Sequence, residues 1–303
     1  MLCGNESYEQ LVSGPDRMRE LPGEYRVLRC TICGLCRTEP RIPVEERALY
    51  YEPDDTPGEG KAARVRMYQA RLADRLCRAV GPGPGKRVLD IGCGQGVLLG
   101  LMRERGFETL GVELGEESAR VAREERGLDV VTGDLSVLDA ERESFDAIVM
   151  SHLIEHVDDP VAVLERVRDL LKPGGTALLS LPNYRCIERR IFGVNWYPWC
   201  LPVHLYHFDM RSIRRAAEMA GLKVDGISYL PFFFLVQSLR YSAGRSGTTG
   251  GSDGKVCPPS NAGGAGDSLK TAVFRLNLAV SDMLGRFMPG EIMEIEARKP
   301  ALL

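Results

Sequence analysis

Residues 88–99, VLDIGCGQGVLL, decide the fold of this chain. A short apolar run ends at an acid, and glycines then occupy three alternate positions, Gly92, Gly94 and Gly96. A glycine-rich turn between a buried strand and a helix lets the backbone approach a ligand closely. The dinucleotide-binding pattern of dehydrogenases has its third glycine where this chain has Val97. Two interpretations therefore remain: a different cofactor site, or a tight turn without a ligand.

Strand-like and helix-like segments alternate from residue 87 onward. Apolar runs that predict strands lie at 87–92, 107–114, 128–135, 145–152 and 176–182, with helical patterns between them. This alternation predicts a parallel sheet with helices on both faces. An amphipathic helix at 61–80 precedes the sheet, and two more strands are predicted at 223–230 and 291–299.

Acidic residues stand at the ends of the first three strands of this region. They are Asp90, Glu113 and Asp134. The carboxyl ends of parallel strands meet at one crevice, where an acid can accept hydrogen bonds from both ribose hydroxyls. An acid on the third strand can accept from an adenine amino group. The three acids predict a site for an adenosine-containing cofactor.

The chain resembles the class I S-adenosylmethionine-dependent methyltransferases in VLDIGCGQG, GVEL, GDL, FDAIVMSHLIEHVDDP, LLKPGG and LSLPN. The resemblance covers roughly 87–232 and the last strand. It implies an α/β fold with a doubly wound, mostly parallel sheet of seven strands, whose last strand runs antiparallel. It also implies binding of S-adenosylmethionine. The residues expected at the cofactor are Asp90, Gly92, Cys93, Gly94, Gly96, Glu113, Leu114, Asp134, Leu135, Ser151 and His152.

All four histidines fall in two short motifs, SHLIEH with His152 and His156, and PVHLYHF with His204 and His207. One interpretation is that these side chains only pack. A second makes His207 or His204 the general base. In a third, Glu155 and the histidines hold a divalent metal that orients a diol-like acceptor. The third resembles a minority of methyltransferases, which have an acid where this chain has His152. The candidate catalytic residues are His207, His204, His156 and Glu155.

Four cysteines, Cys3, Cys30, Cys33 and Cys36, lie within the first 36 residues. No export signal precedes them, which favours metal binding over disulfides. The spacing in CTICGL is typical of a zinc knuckle. CGLCRTEPRIP also resembles the N-terminal zinc-ribbon-like segment of a bacterial methyltransferase subgroup. We predict that this cluster binds a structural zinc ion. Cys3, Cys30 and Cys33 would be three of its ligands, and the fourth would be either Cys36 or a residue at or before position 1.

The predicted domain organisation has three parts. Residues 1–60 form an irregular, Cys-rich, zinc-ribbon-like segment, 61–86 a helix and linker, and 87–303 the methyltransferase domain. Within the last part, 183–208 holds both tryptophans and is predicted to be an aromatic lid over the acceptor. Residues 243–269 are rich in glycine and serine and are predicted to be a mobile loop.

Composition limits the partners. The formal net charge of −3 gives no electrostatic case for nucleic acid. The longest apolar run, 229–236, is too short to span a membrane, and the expected location is the cytoplasm. Apolar stripes at 229–239 and 272–288 fit a core, and they leave open contact with a membrane surface or with a second copy of the chain.

The leading functional interpretation is O-methylation of a small molecule. A sugar, a surface-glycan intermediate and a quinone-like natural product are the candidate acceptors, and N- or C-methylation stays open. Two alternatives are a non-catalytic, zinc-bearing assembly module that binds the cofactor, and a methyltransferase that acts on RNA or protein. The acidic charge balance disfavours the last of these.

Overall fold

Two β-sheets organise the chain in the computed structural model, which describes residues 2–43, 46–47, 50, 59–244, 265–285 and 289–301. The strands are β1 (Tyr8–Pro15), β2 (Glu24–Cys30), β3 (Cys36–Glu39), β4 (Arg87–Ile91), β5 (Glu108–Glu113), β6 (Val130–Thr132), β7 (Phe145–Ser151), β8 (Leu171–Pro182), β9 (Tyr206–His207), β10 (Lys223–Leu230) and β11 (Ile292–Arg298). The helices are α1 (Glu59–Val80), α2 (Val97–Glu104), α3 (Glu116–Arg120), α4 (Pro160–Leu170), α5 (Ile187–Phe192), α6 (Met210–Met219), α7 (Leu235–Ser242) and α8 (Ala265–Leu284).

The larger sheet has seven strands in the order β10-β11-β8-β7-β4-β5-β6. Strands β4 to β8 pair in parallel, and β11 runs antiparallel to both of its neighbours, β8 and β10. Apolar side chains of β4, β7 and β8 are buried on both faces, as expected for the centre of a parallel sheet. The predicted doubly wound sheet with an antiparallel last strand is confirmed.

Local signals set the ends of several helices. The side chain of Asp159 accepts hydrogen bonds from the backbone N–H groups of Val161 and Ala162, and Pro160 follows in the first turn of α4. At α6, Asp209 and Ser212 form a reciprocal capping box. Such N-caps each stabilise a helix by about 1 kcal/mol. They orient α4 and α6 against the sheet.

The helix before the larger sheet packs against that sheet and is joined to it by ion pairs. Leu72 and Leu76 of α1 are fully buried in the core. Arg71 and Arg75 form ion pairs with the buried carboxylate of Glu294 on β11, at 2.8 Å for the Arg75 contact. The helix predicted over 61–80 is therefore an integral part of this fold, and it begins at Glu59.

The smaller sheet corrects the expectation that residues 1–60 are irregular. Strands β1, β2 and β3 form an antiparallel sheet, and β9 from the aromatic segment adds the fourth strand. Tyr25, Val27 and Cys36 of this sheet pack in one buried cluster with Trp196 and Trp199. The local sequence hides this arrangement because the strands are stabilised by residues about 170 positions away in the chain.

The aromatic segment and the C-terminal helix also differ from the expectations. Residues in 183–208 share a core and a sheet with the N-terminal strands. Helix α8 begins at Ala265, within the range predicted as a mobile loop, and residues 245–264 lie outside the described residues. None of the helices that the structure describes combines the length and the apolar character needed to cross a bilayer.

Candidate active site

The glycine loop connects β4 to α2 at the carboxyl edge of the larger sheet. Gly92, Gly94 and Gly96 all have positive φ, at +76°, +59° and +74°. At Gly96 a Cβ atom would lie 2.4 Å from Cδ1 of Leu128, so both the backbone and the available space require glycine. The loop therefore keeps bare backbone at the start of α2, as a closely bound cofactor needs.

Glu113 holds this loop in place from the end of β5. Its side chain is only 4% exposed. One carboxylate oxygen accepts a hydrogen bond from the N–H of Gly94 at 2.7 Å, and the other accepts from the N–H of Gly115 at 2.9 Å. A carboxylate has about four lone-pair sites, so acceptor capacity remains for ribose hydroxyls. Asp90, at the end of β4, is equally buried.

The other predicted cofactor residues differ in exposure. Asp134 is exposed, and it accepts hydrogen bonds from the N–H of Ser136 at 2.8 Å and from the Ser136 hydroxyl. These bonds lower the pKa of Asp134 and keep it ionised. Leu135 is half-buried and Leu114 is exposed, whereas Cys93 is buried against the core below the loop.

His152 follows β7 in a strained conformation. Its φ is +52°, in the left-handed region that residues other than glycine rarely adopt, and its N–H donates to the carbonyl of Ser180 at 2.7 Å. The ring centroid of Tyr68 on α1 lies 6.2 Å from the His152 ring, and the Tyr68 hydroxyl is 2.5 Å from Oγ of Ser180. The half-buried Ser151 ends β7 directly before this position. Tyr68 is a site residue that the sequence pattern showed only as part of an apolar helix face.

The buried carboxylate of Glu291 positions Phe234, the aromatic neighbour of His152. Glu291 accepts hydrogen bonds from the indole N–H of Trp196 at 2.8 Å and from the N–H of Phe234 at 2.6 Å. Burial, followed by the nearby Glu188 carboxylate, raises the pKa of Glu291 to about 8. The Phe234 ring lies 6.2 Å from that of His152. Glu291 thus fixes an apolar ring beside His152.

Three of the candidate catalytic residues meet in one buried cluster. One ligand atom each of Glu155, His156 and His204 lies within 4.8 Å of the other two. Glu155 and His204 are both 1% exposed. Within the described part of the chain, both carboxylate oxygens of Glu155 and Nε2 of His204 lack a hydrogen-bond partner. Nδ1 of His152 lies 3.4 Å from Glu155 Oε1. Uncompensated buried polar atoms are costly, so these donors fit a cation.

The tautomer of His204 suits metal binding. Its Nδ1 lies 2.9 Å from the carbonyl oxygen of Pro198, which can only accept a hydrogen bond. Nδ1 therefore carries the proton, and Nε2 keeps a free lone pair. Burial, together with the neighbouring histidines, lowers the pKa of His204 well below its ordinary value. The imidazole stays neutral, which is the form that binds metals.

Backbone contacts bring this cluster beside the glycine loop. The carbonyl oxygen of Glu155 accepts hydrogen bonds from the N–H groups of Leu205 at 2.8 Å and Tyr206 at 3.1 Å, which fixes His204 close to it. On the other side, a Cβ atom on Gly92 would lie 3.3 Å from Cδ1 of Leu153. The segment from His152 to His156 thus lies between the cofactor loop and the aromatic segment.

The structure does not bring His207 into this cluster. His207 is buried in β9, and its Nε2 lies 3.0 Å from Oγ1 of Thr38. The Thr38 hydroxyl donates to the carbonyl of His204 at 2.6 Å, so its oxygen accepts from His207. Burial, followed by the charge of His156, lowers the pKa of His207 to about 3. His207 therefore connects β9 to β3.

The structure brings together three of the four predicted zinc ligands. The sulfurs of Cys3, Cys30 and Cys33 lie within 4.8 Å of one another, with 3.4 Å between the first two. Burial raises the pKa of the Cys30 thiol, but hydrogen bonds from Asn5 and from backbone N–H groups outweigh it and lower that pKa to about 6. Cys36 is not in this group. It is buried in the cluster that includes Tyr25 and Trp196, and this burial raises the pKa of its thiol.

Comparison with known proteins identifies the family. Residues 64–226, more than half of the chain, match a family model described as a methyltransferase domain. The chain belongs to this family and is an S-adenosylmethionine-dependent methyltransferase.

Two curated relatives are ubiquinone biosynthesis O-methyltransferases. The protein of Xanthomonas campestris pv. campestris is 34% identical over 164 residues, which cover 49% of this chain and 69% of the relative. That of Stutzerimonas stutzeri is 32% identical over 174 residues, covering 52% and 74%. Among solved structures, the [4+2]-cyclase SpnF has a TM-score of 0.51 at 20% identity, over 77% of this chain and 82% of that chain. This last likeness shows the fold alone.

Proposed function

We propose that this enzyme methylates an oxygen atom of a small molecule, and that Glu155, His156 and His204 hold a divalent metal ion that binds the acceptor. The observation that carries the proposal is the meeting of these three donors beside the glycine loop. Their chemistry, one carboxylate and two imidazoles, suits divalent transition metals.

The chain's own contribution is positioning. S-adenosylmethionine supplies a methyl group that its sulfonium already activates. Glu113 and the glycine loop would hold the cofactor, while Tyr68, His152 and Phe234 exclude water from the crevice. Holding an acceptor in line with the methyl group can lower the barrier by several kcal/mol. A metal ion would lower the pKa of an acceptor hydroxyl, so no strong protein base is required.

The donor set favours a vicinal diol or a catechol as acceptor, since two adjacent oxygens can bind one metal ion together. The curated relatives are named for ubiquinone biosynthesis, which is consistent with a quinone-like acceptor. His207 is not proposed as the base, because its Nε2–H donates to Thr38 and its pKa is about 3. His204 is the remaining candidate for that role if no metal takes part.

Chelation is expected to stop methyl transfer. Isotopically labelled methyl from S-adenosylmethionine is followed into fractionated extract of the source organism, with and without EDTA, and the labelled product is analysed for a new methyl ether. We expect label in a small-molecule fraction, its loss in EDTA, and recovery with added Mn²⁺. Unchanged binding of S-adenosylhomocysteine in EDTA is the control. Full activity in chelator would refute the metal, and label on RNA or protein would refute the small-molecule acceptor.

We also propose a structural zinc ion on Cys3, Cys30 and Cys33. Three thiolates supply three of the four positions of a tetrahedral zinc site, and the hydrogen bonds at Cys30 already favour its thiolate. The site lies at the turn between β2 and β3, where zinc would brace the smaller sheet.

Elemental analysis tests the zinc site. The purified protein is expected to contain one zinc per chain, and Cys33→Ser should lose it because one of the three sulfurs is removed. Cys77→Ser, on α1 away from the cluster, is the matched control and should keep the metal. Zinc that persists in Cys33→Ser would show that these residues are not its ligands.

A further inference from the structure

We propose that an open pocket on the smaller sheet binds a phosphate or diphosphate group carried by the acceptor. The pocket has a volume of about 500 Å³ and is lined by Arg26, Arg37, Glu39, Pro40 and Arg41. It lies outside the cofactor crevice and the Glu155 cluster. The part of the inference that concerns the acceptor rests on the proposed function, whereas anion binding at the pocket does not.

The pairing of β2 with β3 places the charged side chains on one face of the sheet. Arg26 stands opposite Glu39, and Arg37 stands opposite Leu28. Residues directly opposed across an antiparallel pair project from the same face. Tyr25 and Val27, at the intervening positions of β2, face the buried core.

Two of the guanidinium groups lie over aromatic rings. Arg37 lies over the ring of Tyr8 at 4.2 Å, and Arg41 lies over the ring of Tyr206 at 5.1 Å. Arg41 also donates to the Tyr206 hydroxyl at 2.6 Å. A stacked guanidinium still presents its N–H edge, and that planar fork is suited to the paired oxygens of a phosphate.

Acidic groups only partly balance the positive charge at this face. Arg37 pairs with Glu39 at 2.5 Å, and the side chain of Arg26 has neither a hydrogen bond nor an ion pair with any residue that the structure describes. At the edge of the pocket, Arg41 and the neighbouring Arg47 share a single carboxylate, that of Asp158, at 3.2 and 2.7 Å.

Among the described residues that line the pocket, three guanidinium groups thus face one carboxylate, in a chain whose formal net charge is −3. The excess of two positive charges matches the charge of one phosphate monoester or diphosphate group, roughly −2. The arginines converge on one pocket and do not form an extended track, which favours a small phosphorylated molecule over a polynucleotide.

Hydrogen bonds connect the pocket to the Glu155 cluster. The Tyr206 hydroxyl, which Arg41 contacts, donates to the carbonyl oxygen of Asp158 at 3.1 Å. The N–H of Tyr206 donates to the carbonyl oxygen of Glu155 at 3.1 Å. Asp158 and Glu155 belong to the same short segment after β7. An acceptor whose phosphate lies in the pocket would therefore extend along this segment toward the cluster.

Calorimetric titration with inorganic pyrophosphate tests the site. The full chain is first saturated with S-adenosylhomocysteine, so that the cofactor crevice is filled. We expect wild type to bind pyrophosphate and Arg26→Ala to bind it at least about tenfold more weakly, since one charged hydrogen-bond donor group is lost. Arg66→Ala, an exposed arginine on α1, is the matched control and should bind like wild type. Thermal unfolding of each variant checks that it is folded.

Methyl transfer on the same preparations separates this inference from the proposed function. Pyrophosphate is expected to inhibit transfer into the extract's acceptor in wild type but not in Arg26→Ala. Binding that depends on Arg26 without any methyl transfer would overturn the proposed function and leave the anion site standing. Binding that leaves transfer unchanged would mean that the pocket takes a free anion, which overturns the assignment to the acceptor. No binding by wild type, or equal binding by both arginine variants, would overturn the site itself.

Discussion

Glu113→Gln is expected to weaken the binding of S-adenosylhomocysteine by about 10- to 100-fold, because hydrogen bonds to a charged acceptor contribute about 1.5–3 kcal/mol each. The carboxylate of Glu113 is buried at the end of β5 and accepts from the N–H of Gly94. The substitution keeps the shape of the side chain but removes its charge and half of its acceptor capacity. Both the cofactor's ribose and the glycine loop lose a partner. Calorimetry or equilibrium dialysis measures the change.

Glu108→Gln is the matched control for this experiment. Glu108 begins the same strand, and its side chain is 70% exposed at the opposite edge of the sheet. The Glu108→Gln variant should bind S-adenosylhomocysteine with the affinity of wild type. Equal affinity of the Glu113 variant and wild type would mean that the cofactor does not occupy the crevice at the ends of β4 and β5.

Glu155→Gln is expected to lower kcat for methyl transfer by at least about 100-fold. Loss of a residue that only hydrogen-bonds to a metal ligand typically costs about 10- to 100-fold, and Glu155 is proposed to bind the metal directly. Glu155 is the only acidic member of its cluster, and its oxygens lack hydrogen-bond partners among the described residues. A neutral amide cannot balance the charge of a divalent cation. The carbonyl group that orders Leu205 and Tyr206 is unaffected.

Three further measurements define the outcome for Glu155→Gln. Binding of S-adenosylhomocysteine should match that of wild type, and binding of Mn²⁺, followed by electron paramagnetic resonance, should be lost. Glu165→Gln, exposed on the following helix α4, should retain full activity. A Glu155 variant that keeps its kcat would remove the cluster from the reaction.

The larger sheet could be predicted from sequence because its signals are local. Each strand is a short apolar run, each helix has its own start or stop residue, and the acids at the ends of β4, β5 and β6 follow from strand position. Gly92 and Glu113 lie within about 25 consecutive residues, so their closeness at the edge of the sheet can be predicted from local sequence alone. That is why the predicted fold class agrees with the structure.

The smaller sheet could not be predicted in the same way. Its stability depends on the pairing of Cys36 with His207 and on a core shared with Trp196, all far apart in the chain. The sequence motifs placed His207 in an aromatic lid as a candidate base, whereas the pairing of β9 with β3 places it beside Thr38 in a buried strand. Long-range strand pairing leaves little trace in local periodicity.

The candidate metal cluster falls between these two cases. Glu155 and His156 are adjacent in sequence, so their joint role was open to prediction. Which histidine of the second motif joins them depends on how the aromatic segment folds, and the structure selects His204. The arginine pocket was not foreseen, because Arg26 and Arg41 come together only when β2 pairs with β3.

The pairing of β3 with β9 has a consequence for biosynthesis. A ribosome delivers β3 long before it delivers residues 206–207, so the edge of β3 has no native partner while most of the methyltransferase domain is being made. The smaller sheet can be completed only when β9 is made, after β4 to β8 and before β10 and β11 complete the larger sheet. The edge of β3 is therefore unpaired for as long as β4 to β8 are being translated, and over that interval it can pair with a strand of another chain.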